Sequence, residues 1–242
     1  MIPVVNRVSF TIKPTEIVGY LGPNGAGKST TIKMLAGLLE STDGQILYNG
    51  KNIRKDLYTY KKRIGYVPEN AEIYPHLSGY DYLLMVGRLR QIPEKPLKKR
   101  IKQLLELFKL SVEMDLAISS YSNGMIQKVL IASALLHDPD VLLLDEPLSG
   151  LDVTTSLVIK DLLKLLAEDG KIIMYSSHIL EVVEKICSRA IIIHKGRIVA
   201  DDSVENLRNL MKLPSLEEIF SQLVVQEDTA AQARGIIAAI RS

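Results

Sequence analysis

Gly22-Pro23-Asn24-Gly25-Ala26-Gly27-Lys28-Ser29-Thr30 is the stretch that decides the fold of this chain. It fits the pattern Gly-x-x-x-x-Gly-Lys-Ser/Thr, in which backbone N–H groups of a glycine-rich loop turn toward one point and bind phosphate. In this pattern Lys28 supplies a point charge for the β- and γ-phosphates, and the Ser29 hydroxyl is placed to ligate Mg²⁺. The stretch therefore predicts a site for a nucleoside triphosphate with Mg²⁺, to which all nine residues contribute.

The residues on either side of this loop distinguish it from an ordinary glycine-rich turn before a helix. Residues 16–21 are mostly apolar and predict a strand, and residues 29–39 carry apolar side chains at helical spacing. A strand, a glycine loop and a helix in this order are the context of a phosphate-binding loop. The helix N-terminus adds unpaired N–H groups and the positive end of its dipole.

The composition limits the class of protein. The 242 residues suffice for one large α/β domain or for a core with a smaller subdomain. A net charge of +2 gives no broad basic field, so no nucleic-acid partner is expected. The single cysteine, Cys187, excludes an intramolecular disulfide and fits a reducing compartment. No apolar run reaches the roughly 18 residues of a membrane span, and a cytoplasmic location is expected.

The hydrophobic patterns predict an α/β fold with a mainly parallel sheet, an antiparallel β subdomain and an inserted helical subdomain. Strands are predicted at 4–12, 16–21, 45–48, 64–67, 140–145, 171–176, 190–193 and 197–200. Helices are predicted at 29–39, 78–91, 97–110, 123–137, 153–167, 179–187, 203–211 and 215–225. The predicted domain spans 1–225, with the helical subdomain at about 70–136, and residues 226–242 form a loosely attached tail.

Two carboxylates, Asp145 and Glu146, follow the buried strand predicted at 140–145. In open α/β sheets, ligands bind at the carboxyl ends of the strands. The phosphate-binding loop also follows a strand, so both features are expected at the same edge of the sheet. The alternative is an acidic pair at a strand end that merely caps a helix.

Four segments in this order resemble the nucleotide-binding subunit of the ABC transporter family. They are residues 22–30, which are similar to Walker A, then 122–124, 142–152 and His178. The resemblance covers about residues 4–225 and implies the P-loop ATPase fold of that family. Ser-Asn-Gly-Met at 122–125 and the segment 214–220 resemble exporter-type ATPases for drugs, lipids or polysaccharides.

The resemblance implies a role for each catalytic position. Asp145 would hold Mg²⁺ largely through water, and Glu146 would polarise the water that attacks the γ-phosphate. His178 would contact that phosphate as the switch histidine. Glu69 stands where the family usually has a glutamine, and its carboxylate would ligate Mg²⁺ or order water while adding negative charge beside the triphosphate.

The resemblance also implies a shared site. Ser122, Asn123 and Gly124 would cap the γ-phosphate that is held by the opposite subunit, and Asp152 would lie in the loop that crosses between the two sites. Two ATP molecules would then join a head-to-tail dimer, formed by two copies or by one copy with a paralogue. The dimer would drive transport through a separate membrane permease, with export the expected direction. The permease would hold this chain at the cytoplasmic face of the membrane.

Three departures from the family keep other interpretations open, and Glu69 in place of the usual glutamine is the first of them. Asn123 and Met125 replace Gly and Gln of the usual signature, and the strand and aromatic residue that stack on adenine are not found before residue 4. Either the chain is truncated or another group supplies the stack. A non-catalytic nucleotide-binding regulator and a soluble ATPase acting on DNA or ribosomes are the alternatives. The cargo is not identified by the sequence.

Overall fold

The computed structural model describes residues 3–70, 73–177, 180–211 and 239–240. Its strands are β1 Ile17–Leu21, β2 Leu47–Tyr48, β3 Lys51–Asn52, β4 Ile64–Val67, β5 Val141–Asp145, β6 Ile172–Ser176, β7 Arg189–His194 and β8 Arg197–Ser203. Its helices are α1 Lys28–Leu35, α2 Leu57–Lys61, α3 Gly79–Leu89, α4 Glu94–Leu107, α5 Asn123–Leu135, α6 Val153–Glu168, α7 Leu180–Ile186 and α8 Val204–Met211. Within these ranges, no helix is both long enough and apolar enough to cross a membrane.

The central sheet confirms the predicted mainly parallel α/β fold. Its strand order is β4-β5-β6-β1-β7-β8, and every neighbouring pair is parallel except β7 with β8. β2 and β3 form a separate antiparallel ribbon. Because β4, β5, β6 and β1 are parallel neighbours, the segments that follow them leave the same edge of the sheet. The functional loops predicted after these strands therefore gather at one edge.

Both faces of the central strands of the sheet are buried. In β1, Val18 and Tyr20 pack into one apolar core with α1, whereas Ile17 and Leu21 belong to a second core on the opposite face. This alternation follows from the period of two residues in a strand. All five residues of β5 are buried, as expected for a strand covered on both faces.

The strand predicted at 4–12 is wrong. The backbone is interrupted by Arg7, which has a left-handed φ of 53°. Instead of a ladder, the Asn6 N–H donates to Gly196 O at 2.7 Å, which joins the segment to the turn between β7 and β8. The segment therefore lies against the sheet as an irregular strip.

Two predicted helix boundaries also need correction. α1 ends at Leu35 rather than at 39, because Gly37 adopts a φ of +65° that does not continue a right-handed helix. α4 begins at Glu94 rather than at 97, with Pro96 inside its first turn. Proline is tolerated there because the N–H groups of a first turn have no helical partner.

Helices α3, α4 and α5 lie between β4 and β5 along the chain and share one apolar core, which includes Leu83, Leu97 and Val129. The proposed division into a domain at 1–225 with a helical subdomain at 70–136 stays a prediction. The helix predicted at 215–225 lies outside the described residues, as does the tail at 226–242 except for 239–240.

The absence of a side chain at Gly65 allows α5 to pack closely against β4, and replacement of Gly65 tests this packing. A Cβ atom at Gly65 would lie 2.4 Å from the Ala134 carbonyl oxygen, which is part of the α5 backbone. Gly65→Ala is expected to lower the free energy of unfolding by about 1–3 kcal/mol, because helix and strand must separate. Urea unfolding of the two proteins measures this difference. A loss below about 0.5 kcal/mol, the range of neutral surface changes, would contradict the close packing.

Candidate functional site

The phosphate-binding loop connects β1 to α1, and its glycines are required by geometry. A Cβ atom at Gly22 would lie 2.4 Å from the Ile193 carbonyl oxygen of β7. Gly27 is the N-cap of α1 and has a φ of 106°, a conformation that residues with a Cβ atom rarely adopt. No side chain therefore covers the N-terminus of the helix at this position. The loop therefore presents backbone at the helix N-terminus, where phosphate groups bind.

Lys28 places its charge over this loop. Its ammonium group donates to Gly22 O at 2.7 Å and to Pro23 O at 3.2 Å, and the side chain is 9% exposed. A lysine held in this way is already desolvated and directed at the loop. A bound phosphate would exchange with these neutral carbonyl partners and form stronger, charge-assisted hydrogen bonds.

Ser29 and Glu69 meet in space although the chain separates them widely. The Ser29 hydroxyl donates to Glu69 Oε2 at 3.4 Å, since Glu69 follows β4 at the same edge of the sheet. Asp145 at the end of β5 is 1% exposed and accepts a hydrogen bond of 2.8 Å from the Ser176 hydroxyl. Burial, and then the carboxylates of Asp145 and Glu69, raise the pKa of Tyr66 to about 12.

The donor set of Ser29, Glu69 and Asp145 fits Mg²⁺, which prefers hard oxygen ligands. Among the residues that the structure describes, no group of three or more His, Cys, Asp or Glu side chains could hold a metal by itself. This arrangement suits Mg²⁺, because that ion is usually bound by one or two carboxylates together with substrate phosphates. Phosphate oxygens of a bound nucleotide would complete such a ligand set.

Glu146 has an unusual backbone. Its φ of +50° lies in the left-handed region, which costs of order 1 kcal/mol or more for a residue with a side chain. Its N–H donates to Ser176 O at 3.1 Å, and its Oε2 accepts from the Ser177 hydroxyl at 3.2 Å. The carboxylate is thus buried and directed by β6, next to Asp145. Strain retained at a buried carboxylate points to a function of that group.

Ser176 and Ser177 are the residues of this site that sequence reasoning missed. Two hydroxyls at the carboxyl end of a buried strand were the available signal. They had no assigned role because only the pairing of Asp145 with Ser176 between β5 and β6 brings them to the carboxylates. His178, the predicted switch histidine, lies outside the described residues, and its role stays a prediction.

The signature segment lies at the start of α5. Ser122 is the N-cap, and its hydroxyl accepts from the Met125 N–H at 3.3 Å. A Cβ atom at Gly124 would lie 2.6 Å from the Gly150 carbonyl oxygen, so this part of the signature rests on the loop after β5. No hydrogen bond among the described residues joins 122–124 to the phosphate-binding loop.

Asp152 ends the loop after β5 as the N-cap of α6. It accepts hydrogen bonds from the backbone N–H and the hydroxyl of Thr155, at 2.8 and 2.6 Å. These bonds hold the pKa of Asp152 below its usual value. The side chain therefore stays a charged cap at neutral pH.

Comparison with known proteins shows the family to which this chain is similar. The family model described as "ABC transporter" matches residues 5–149. The ABC transporter ATP-binding protein NatA of Bacillus subtilis is 37% identical over 227 residues, which are 93% of this chain and 92% of that protein. The Nod factor export ATP-binding protein I of Burkholderia lata is 37% identical over 198 residues, which are 82% of this chain and 65% of that protein.

A solved structure matches the fold as well. It is described as the dimeric structure of a post-hydrolysis state of an ATP-binding cassette bound to ADP and Pi. The match has a TM-score of 0.76 and 25% identity, and it covers 83% of this chain and 90% of that one. The chain therefore belongs to the ABC transporter family, in which it is an ATP-binding subunit and an ATPase.

Proposed function

We propose that this chain hydrolyses ATP between two subunits paired head to tail and thereby drives export through a separate membrane permease. The observation that carries the proposal is the buried, strained Glu146 beside Asp145, at the sheet edge where the phosphate-binding loop also begins. In-line phosphoryl transfer needs a phosphate cradle, a cation and an oriented nucleophile. Residues of this site would meet each of these requirements.

The phosphates would be bound by the backbone of residues 22–30 and by Lys28. Ser29, Asp145 and Glu69 would hold Mg²⁺, which when bound neutralises charge on the phosphate oxygens. Asp145 is oriented for this task by the Ser176 hydroxyl at 2.8 Å. Glu69 adds a carboxylate where the family usually has a neutral amide, so binding of the triphosphate is coupled to the cation.

Glu146 would orient the attacking water and accept its proton. Its Oε2 is fixed by the Ser177 hydroxyl, so the carboxylate is positioned before ATP arrives. His178 would contact the γ-phosphate from the segment after β6. One carboxylate on the metal and the next on water divide the two tasks between neighbouring residues.

The head-to-tail dimer would complete each site with Ser122, Asn123 and Gly124 of the opposite subunit, with Asp152 in the loop that crosses between the sites. A helix N-terminus with a serine hydroxyl suits this capping of phosphate. Export is supported by the Ser-Asn-Gly-Met signature and by the Nod factor export relative. The permease would hold the dimer at the cytoplasmic face of the membrane.

Phosphate release from ATP by the purified chain, with and without Mg²⁺, tests this proposal. We expect turnover that requires the cation and that increases when the permease is present. If neither the chain alone nor its complex with the permease releases phosphate, the proposed function is wrong and a nucleotide-binding regulator is favoured.

Glu69→Gln is expected to raise the affinity for ATP in the absence of divalent cations by about tenfold. One negative charge beside the Ser29 hydroxyl repels the triphosphate by about 1–3 kcal/mol at an effective dielectric constant near 20. With Mg²⁺ the difference should shrink, because the amide oxygen remains a ligand. Titration with a fluorescent ATP analogue in EDTA and in Mg²⁺ measures both affinities.

The control for this variant is Glu106→Gln, which removes an exposed carboxylate on α4. It should leave both affinities unchanged. Equal affinities of the Glu69→Gln and parent proteins in EDTA would show that Glu69 does not act on the nucleotide.

A further inference from the structure

The first two turns of α5 are fixed to the loop that carries Glu146. The side chain of Gln127 is 6% exposed, and its Nε2 donates to the Pro147 carbonyl oxygen at 3.0 Å. Proline has no N–H, so this carbonyl is its one backbone group that can form a hydrogen bond. Gln127 therefore satisfies a buried group directly after the proposed catalytic residue.

Close backbone packing extends this contact toward the signature. The start of α5 approaches Gly150 so closely that a Cβ atom at Gly124 would lie 2.6 Å from the Gly150 oxygen. Further along, Lys128 Nζ lies 3.8 Å from Asp152 Oδ2. Residues 123–128 and 147–152 thus meet at three points, and close packing of this kind transmits strain from one segment to the other.

Glu146 is consequently held from two sides. On one side, the Ser176 carbonyl oxygen at the end of β6 accepts the hydrogen bond from the Glu146 N–H, and the hydroxyl of the next residue, Ser177, donates to the Glu146 carboxylate. On the other side, Gln127 holds the next residue, Pro147. A left-handed φ at Glu146 persists only where surrounding contacts determine it. Loss of the Gln127 hydrogen bond would remove the contact that lies nearest to Glu146 on one of these two sides.

We propose that Gln127 is a positioning residue, which fixes the backbone of Glu146 through Pro147 and links it to the signature segment of the same chain. The proposal rests on the proposed function, in which 122–124 meets the ATP of the opposite subunit. The catalytic carboxylate for one ATP and the cap for the other then belong to a single packed unit. When the ATP held by the opposite subunit displaces the signature segment, that movement is transmitted to Glu146, which acts on the ATP held by its own chain.

Gln127→Met tests this role, because methionine keeps the length of the side chain and removes the donor. We expect kcat for ATP hydrolysis to fall about tenfold with KM changed less than about twofold, since the contact positions a catalytic group and touches no phosphate. Steady-state phosphate release measures both constants. The matched control is Gln103→Met on the exposed face of α4, which should leave kcat and KM unchanged.

A double variant separates positioning from a general structural effect. If Gln127 acts through Glu146, Glu146→Gln with Gln127→Met should turn over at the rate of Glu146→Gln alone, because the residue being positioned is already lost. A further tenfold loss in the double variant would overturn the proposal, as would a Gln127→Met protein with the kcat of Gln103→Met. If Gln127→Met does not fold, Gln127→Asn, whose amide is one methylene shorter, is measured with the same expectations.

The outcomes distinguish this inference from the proposed function. No phosphate release by the parent chain and its permease complex would reject the function itself. Turnover by the parent that is insensitive to Gln127→Met would leave the function in place and reject only the positioning role.

Discussion

Glu146→Gln is expected to lower kcat for ATP hydrolysis by about 10²- to 10⁴-fold, the range for removal of a general base. The amide keeps the shape of the carboxylate but does not accept a proton, whereas the phosphate-binding loop and Lys28 are untouched. ATP binding should therefore remain within a few-fold of the parent. Phosphate release under saturating ATP measures kcat, and titration with labelled ATP measures the affinity.

The same variant should reveal the shared site, because bound ATP is no longer consumed. Light scattering is expected to show a mass that doubles when ATP and Mg²⁺ are added. Glu168→Gln, at the exposed end of α6, is the matched control and should hydrolyse ATP like the parent. If Glu146→Gln hydrolyses ATP as fast as the parent, the role given to Glu146 is wrong. A monomer at saturating ATP would contradict a dimer of two copies of this chain.

Lys28→Met should lower the affinity for ATP by about 10- to 10²-fold and abolish measurable turnover. The substitution removes a buried positive charge aimed at the β- and γ-phosphates, and a charge-assisted contact of this kind contributes about 1.5–3 kcal/mol. The two hydrogen bonds from Nζ to Gly22 O and Pro23 O are lost as well, so the side chain at position 28 no longer stabilises the loop. Isothermal titration with ATP and Mg²⁺ measures the affinity.

Lys33→Met is the control for this prediction, since Lys33 lies on the exposed face of the same helix α1. It should bind ATP like the parent, because the charge is remote from the loop and screened by water. Equal affinities of the Lys28→Met and parent proteins would show that the loop does not bind triphosphate in the proposed manner.

The strands of the central sheet were predictable where local pattern decides them. β4 and β5 fall where continuous apolar runs end at Pro68 and at Asp145, because strands buried on both faces tolerate few polar residues. The N-caps Ser122 and Asp152 were predictable for a similar reason, since a side-chain oxygen satisfies the N–H groups of the next turn. The prediction of a strand at 4–12 was wrong, because alternation of apolar and polar residues does not by itself supply a neighbouring strand to pair with.

The sequence by itself predicted the phosphate-binding loop and the carboxylate pair, because each depends on residues within one segment. It predicted the mainly parallel α/β fold from the succession of apolar strand patterns and helical patterns along the chain. Only the tertiary structure placed β6 between β5 and β1, which brings Ser176 to Asp145 and Ser177 to Glu146. It alone gave the direct hydrogen bonds of Ser29 with Glu69 and of Gln127 with Pro147. These contacts join residues 20 to 40 positions apart along the chain. They follow from strand order and helix packing, which no local pattern encodes, because the periodicity of a segment determines which face is buried and not which neighbour covers it.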